Sequence, residues 1–76
     1  MSEHEYKEMV KRKTKSAEKD LEFKMIMFGY ATLIGDEKEI AETKAEMEKA
    51  SKESLKWGQE YFNVFHKAYV GEENEK

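Results

Sequence analysis

The sequence "LIGDEKE", residues 33–39, divides a chain of 76 residues into two helical segments. Gly35 is suited to the left-handed conformation that commonly follows the last residue of a helix, because it has no Cβ atom. Asp36, with Glu39 three residues later, forms the capping-box pattern that starts a new helix. Since the stop and the start are adjacent, the connection is a very short turn, which predicts two helices packed antiparallel.

The residues on both sides of this turn have a composition typical of long helices. The chain has no proline, and 41% of its residues are charged. Ser2 and Glu5 form another capping box, which marks the start of the first helix. We therefore predict helices at about 3–34 and 37–70 with a turn at 35–36, which together make an all-α antiparallel hairpin.

This hairpin is expected to form one domain over residues 1–71, with a flexible acidic tail at 72–76. Two positions are candidates for a kink. In Thr14-Lys15-Ser16, the Thr14 and Ser16 hydroxyls could cap a new helix, which would begin at Ala17. Gly58 lowers helix propensity by about 1 kcal/mol relative to alanine.

The apolar residues of the first helix fall into two stripes on different faces. The stripe predicted to face the second helix consists of Tyr6, Val10, Ala17, Leu21, Met25, Phe28 and Thr32. The other includes Phe23, Met27, Tyr30 and Ile34. The second helix has one stripe, which consists of Ile40, Thr43, Met47, Ala50, Ser54, Trp57, Tyr61, Val64 and Ala68. A helix with two apolar faces requires two neighbours, and a hairpin supplies one.

Folding the chain about Gly35 places residues whose numbers sum to about 70 opposite each other. The apolar half of the first helix, 21–34, then lies beside the acidic half of the second, 36–48. The aromatic half of the second helix, 57–69, lies beside charged residues of the first. Each of these two halves therefore has large apolar side chains that the other helix does not cover. Burying one such side chain contributes about 1.5–3 kcal/mol, and each half contains several. We therefore expect the hairpins to assemble into a dimeric four-helix bundle or a higher oligomer.

The predicted oligomer interface consists of Phe23, Ile26, Met27, Tyr30, Leu33 and Ile34. The distribution of charge favours a defined register between copies. Residues 7–19 include six basic and two acidic residues, net +4, whereas residues 36–48 include six acidic and two basic residues, net −4. Exposed ion pairs contribute little individually, so these charges are expected to determine register more than affinity.

Composition also excludes several classes of protein. With no cysteine, the chain has neither disulfides nor thiolate metal ligands. Its net charge of −3, with the signs interspersed, differs from that of a basic nucleic-acid-binding domain. The uncharged run 25–34 spans roughly 15 Å as a helix, whereas a bilayer requires about 20 residues. Since the N-terminus shows no secretory signal, we expect a cytoplasmic protein that does not enter membranes.

No residues show the spacing of an active site or a metal site. The sequence has no serine in a glycine elbow, no phosphate loop, no EF-hand and no Glu-x-x-His pair. His4, Glu8 and His66 approach the same end of the predicted hairpin, where we interpret both histidines as surface residues. We therefore expect no enzymatic activity, no metal and no cofactor.

The predicted function is that of a small regulator or inhibitor that acts by protein–protein contact, both with itself and with a protein target. One alternative is an oligomeric module that captures an anionic ligand, such as a nucleotide or a nucleic acid, between basic and aromatic side chains. Another is a structural assembly protein. The surface predicted for a target or ligand consists of Lys11, Arg12, Lys15, Trp57, Tyr61, Phe62, Phe65 and Tyr69. Tryptophan, tyrosine and arginine are enriched among the residues that dominate binding energy at interfaces.

Overall fold

The computed structural model describes residues 1–70 and confirms the all-α hairpin. Helix α1 spans Glu3–Ile34 and helix α2 spans Glu37–Phe65. The molecule measures 47 × 25 × 16 Å. Since a helix with its side chains is about 10–12 Å across, the shortest dimension leaves room for a single layer of helices. Each helix therefore has one neighbour within the chain, and its far side faces outward.

Both helices begin at the caps that the sequence predicts. Ser2 Oγ accepts a hydrogen bond from the Glu5 amide at 3.1 Å, and Glu5 Oε1 accepts one from the Ser2 amide at 2.9 Å. Hydrogen bonding of the Glu5 carboxylate to Ser2, chiefly to the Ser2 backbone amide, lowers the pKa of Glu5. Gly35 has φ 82° and ends α1, and Asp36 Oδ1 accepts a hydrogen bond from the Glu39 amide at 3.2 Å. Two residues are thus enough to reverse the chain.

The two helices meet along a line of buried contacts, here called the seam. Thr14 Oγ1 lies 3.2 Å from the Trp57 carbonyl oxygen, and Lys24 Nζ donates to Glu46 Oε1 at 2.9 Å. The numbers in these two pairs sum to 71 and 70, which confirms the predicted register. We call the end of the hairpin at Gly35 the turn end and the opposite end the open end.

The buried side chains of the seam are mostly small. Among the described residues, those buried are Val10, Thr14, Ala17, Ala31, Thr43, Ala50 and Tyr61. Tyr61 is the one large side chain in this set, and it lies toward the open end. The two helices consequently approach closely but bury little apolar volume at the turn end.

Neither predicted kink interrupts a helix. Helix α1 continues through Ser16 because Thr14 does not act as a cap; its hydroxyl donates to the Val10 carbonyl at 2.7 Å, one turn earlier in the same helix. Helix α2 also continues through Gly58. Both helices are therefore available as unbroken surfaces along most of the hairpin.

The seam on α1 departs from the predicted stripe near the turn. Met25 is 54% exposed and Thr32 is also exposed, whereas Lys24 and Phe28 are half-buried and Ala31 is buried. Lys24 replaces an apolar residue here, since a lysine stem can lie along apolar surface while its charged group reaches outward. The hydrogen bond to Glu46 raises the pKa of Lys24.

Helix α2 ends at Phe65, five residues before the predicted end at residue 70. His66 adopts a left-handed conformation with φ 58°, and the chain reverses there. A helix continued to residue 70 would carry Tyr69 about 12 Å along the axis from Tyr61. The reversal instead brings the two ring centroids to 5.1 Å. The predicted acidic tail at 72–76 lies outside the described residues.

Candidate interaction surfaces

The predicted oligomer interface forms an exposed apolar surface on α1, here called the stripe. Its exposed fractions are 55% for Phe23, 59% for Ile26, 41% for Met27, 63% for Tyr30, 85% for Leu33 and 74% for Ile34. Tyr30 follows Phe28 by two residues, which places it about 200° around the helix. Since Phe28 lies at the seam, Tyr30 is on the side of α1 that faces away from α2. Phe23 and Met27 form the edge of the stripe nearest α2 and line a pocket with Thr43.

The aromatic half of α2 is less exposed than the sequence predicts. In the aromatic cluster, which consists of Trp57, Tyr61, Phe65 and Tyr69, the chain itself buries Tyr61 and half-buries the other three rings. Tyr61 is 6% exposed, and its ring centroid lies 4.5 Å from that of Phe65. The folded-back Tyr69 packs edge-on against the same ring. Phe62, which belongs to the same aromatic half of α2, remains 54% exposed, so the contact of this half with a second chain stays a prediction.

Polar contacts also occupy the residues around the aromatic cluster. Trp57 Nε1 donates to Glu53 Oε1 at 2.9 Å, one turn earlier in α2. The Tyr6 hydroxyl donates to Glu60 across the two helices, and this hydrogen bond raises the pKa of Tyr6. The aromatic cluster is thus packed and hydrogen-bonded within the open end of the hairpin.

Among the basic residues predicted to share a surface with these aromatics, Arg12 lies elsewhere. Lys11 and Lys15 are half-buried, and Arg12 is exposed. Arg12 precedes Phe23 by eleven residues, which is about three helical turns. It therefore lies on the stripe side of α1, and within one copy it does not converge with Trp57.

A groove between the helices is the surface that sequence reasoning missed. It has a volume of about 570 Å³, and its walls include Leu21, Ser51, Ser54, Leu55, Gly58 and Phe62. Phe62 belongs to the predicted partner surface and is 54% exposed, and Leu55 is 66% exposed. The available signal was a second row on α2, in which Ser51, Leu55, Gly58 and Phe62 are separated by four, three and four residues.

The described residues offer little for metal or membrane chemistry. Over residues 1–70, no three His, Asp or Glu side chains are grouped closely enough to hold a metal ion. His4 and His66 are both exposed. Neither described helix contains an apolar stretch that reaches across a bilayer.

The stripe and the groove are therefore the two exposed apolar surfaces described for the hairpin. No protein-family model matches the chain, and neither a curated protein nor a solved structure shows significant similarity to it.

Proposed function

We propose that this chain is a small non-enzymatic regulator or inhibitor that acts through protein–protein contacts as a self-associated helical bundle. The observation that carries this proposal is the stripe, whose six side chains are each more than 40% exposed. Monomeric proteins rarely leave a large continuous apolar patch exposed unless it contacts a partner. A second copy is the partner that the chain itself supplies.

The small core of the hairpin supports this role for the stripe. Most buried side chains of the seam are alanine, valine or threonine. Burying a large apolar side chain contributes about 1.5–3 kcal/mol, and the stripe offers six, against a typical domain stability of about 5–15 kcal/mol. Part of this gain is lost to the entropy of association. Even so, self-association is expected to stabilise the folded hairpin.

The basic part of α1 supplies a separate surface for a target protein. Residues 7–19 carry a net charge of +4, and Arg12 is exposed within them. An acidic surface on the target complements this charge, and steering of that kind accelerates association. In this proposal Lys11, Arg12 and Lys15 contact the target while the stripe holds the assembly together.

Self-association is tested by sedimentation equilibrium and by thermal melting over a range of protein concentrations. We expect oligomers whose melting temperature rises with concentration. Ile26→Glu introduces a carboxylate into the stripe and should give a monomer. Ala45→Glu is the matched control, because it adds the same group at an exposed position of α2 outside the stripe. A wild-type monomer whose melting is independent of concentration would contradict the proposal.

The regulatory role is tested by capture from a lysate of the cells that encode the chain. We expect a specific protein to be retained by the wild type and by Ala45→Glu, and to be lost when Arg12 is changed to Glu. Assembly without any retained protein would instead favour the purely structural role.

A further inference from the structure

The stripe and the groove match in length and in the spacing of their side chains. Phe23, Ile26, Tyr30 and Leu33 are separated by three, four and three residues, which corresponds to about 15 Å of helix. The α2 wall of the groove, from 51 to 62, follows steps of four, three and four over about 17 Å. Alternating steps of three and four are the spacing at which the side chains of two packed helices interlock.

The groove is also shaped to accept large side chains. Leu55 and Phe62 expose apolar surface along its outer wall. Between them Gly58 leaves open space, and no neighbouring side chain lies within 4 Å of the position that a Cβ atom would take. On the stripe, the rings of Phe23 and Tyr30 alone expose on the order of 200 Å², about a quarter of the ~800 Å² that one partner buries in a standard interface.

Charge is divided unevenly along the hairpin. Residues 20–48 form the turn-end half that carries the stripe, and they include eight acidic and three basic residues, net −5. Residues 1–19 and 49–70 form the open-end half that carries most of the groove. With both histidines neutral, they include ten basic and six acidic residues, net +4. Contact between two stripes would bring two negative halves together, whereas contact between a stripe and a groove pairs a negative half with a positive one.

We propose that copies of this chain associate head to tail, with the stripe of one copy docked in the groove of the next. This inference rests on the proposed function and extends it, since it names the surface that the stripe contacts. Because the stripe and the groove are different surfaces, the contact is heterologous. Each copy donates one stripe and accepts another, so copies either close into a ring or extend as a filament.

Three glutamate substitutions separate the two surfaces. Ile26→Glu alters the stripe, Gly58→Glu alters the groove, and Ala45→Glu changes an exposed position outside both. Each variant is expected to fold, because Ile26 and Ala45 are exposed and Gly58 has open space beside it. Glutamate also favours a helix more than glycine does. Circular dichroism at low concentration checks that all three variants keep their helix content.

Sedimentation velocity of each variant alone, and of an equimolar mixture of Ile26→Glu with Gly58→Glu, tests the head-to-tail contact. Each of these two variants alone should associate about 100-fold or more weakly than the wild type, because docking buries a carboxylate. Ala45→Glu should associate like the wild type. The mixture should restore a 1:1 pair, because the intact stripe of the Gly58→Glu copy meets the intact groove of the Ile26→Glu copy.

The remaining outcomes separate this inference from the proposed function. If Gly58→Glu assembles like the wild type while Ile26→Glu is monomeric, stripes pair with each other; the head-to-tail contact is then overturned and self-association stands. A mixture that stays monomeric overturns the head-to-tail contact as well. A wild-type chain that is monomeric at all concentrations overturns both proposals.

Discussion

Two apolar surfaces lie at opposite ends of this hairpin, and the chain covers them to different extents. Tyr61 at the open end is 6% exposed, whereas Tyr30 at the turn end is 63% exposed. The aromatic cluster is followed by residues 66–70, which fold back over it. The stripe is followed by a two-residue turn, which leaves no free segment to cover it. Whether an apolar surface becomes core or interface thus depends on the chain that follows it as well as on its own residues.

The seam reinforces this difference between the two ends. Beneath the aromatic cluster it contains Val10, which is fully buried, and the Thr14 hydroxyl that approaches the Trp57 carbonyl. Near the stripe it contains the exposed ion pair of Lys24 with Glu46, and such pairs stabilise little. The turn end is therefore the less firmly packed end, and it is also the end that offers apolar surface to a partner.

The largest expected effect comes from making the same substitution at both ends. Tyr61→Ala removes a buried ring and should lower the free energy of unfolding by about 3–5 kcal/mol. Tyr30→Ala removes an exposed ring and should change it by no more than about 0.5 kcal/mol under conditions where the chain is monomeric. Urea denaturation of dilute protein measures both. Equal losses for the two variants would mean that the rings of Tyr61 at the open end and Tyr30 at the turn end do not differ in burial.

A smaller effect is expected from the cap at the turn. Asp36→Ala removes the side chain that accepts the Lys38 and Glu39 amides, and should cost about 1 kcal/mol. Amide exchange should accelerate around the turn, while residues near Tyr61 keep their protection. Asp20→Ala, which removes an exposed aspartate within α1, is the control and should show neither change. Uniform loss of protection along the hairpin would mean that its two ends do not open separately.

The left-handed conformation of His66 predicts which of two substitutions at this position gives the more stable protein. In a left-handed conformation, glycine avoids a strain that costs other residues about 1–2 kcal/mol, part of which is offset by its greater entropy in the unfolded chain. His66→Gly should therefore be more stable than His66→Ala by somewhat less than 1 kcal/mol. A helix that continued to residue 70 would give the opposite order, because alanine is the better helix former. Thermal melting of the two variants decides between these two conformations of the chain after Phe65.

The smallest effect concerns pH and the hydrogen bond of Tyr6 with Glu60. Because this bond raises the pKa of Tyr6, its stabilisation is complete below the ordinary pKa of tyrosine, about 10, and is lost as pH rises through the raised pKa. The difference in melting temperature between the wild type and Tyr6→Phe should therefore shrink between about pH 8 and about pH 12. A difference that stays constant or grows would show that Tyr6 does not hold the open end through its neutral hydroxyl.

Local signals in the sequence predicted the turn, both caps, the register and the stripe. Gly35 and Asp36 act through their own backbone and side chain, so their positions can be inferred without knowledge of the fold. The stripe also follows from spacing alone, because Phe23, Ile26, Tyr30 and Leu33 must share one side of a helix. These features need no information about distant residues.

The features that the sequence did not predict depend on contacts between distant residues or on the nature of the side chain. The end of α2 at Phe65 requires His66 in a conformation that histidine rarely adopts, and the contact between Tyr69 and Tyr61 offsets that strain. Lys24 at the seam was missed because an apolar pattern omits charged residues, although their stems can pack. The groove was missed because its walls come from both helices.

The two-residue turn at Gly35 and Asp36 also sets an order of events in folding. Lys24 and Glu46 are 22 residues apart in the chain, whereas Tyr6 and Glu60 are 54 apart. Closing the shorter loop costs less entropy, so pairing is expected to start at the turn and to spread toward the open end. The firmest packing then forms last. In stopped-flow kinetics the cap should accordingly control how fast the chain folds, and the aromatic cluster should control how slowly it unfolds.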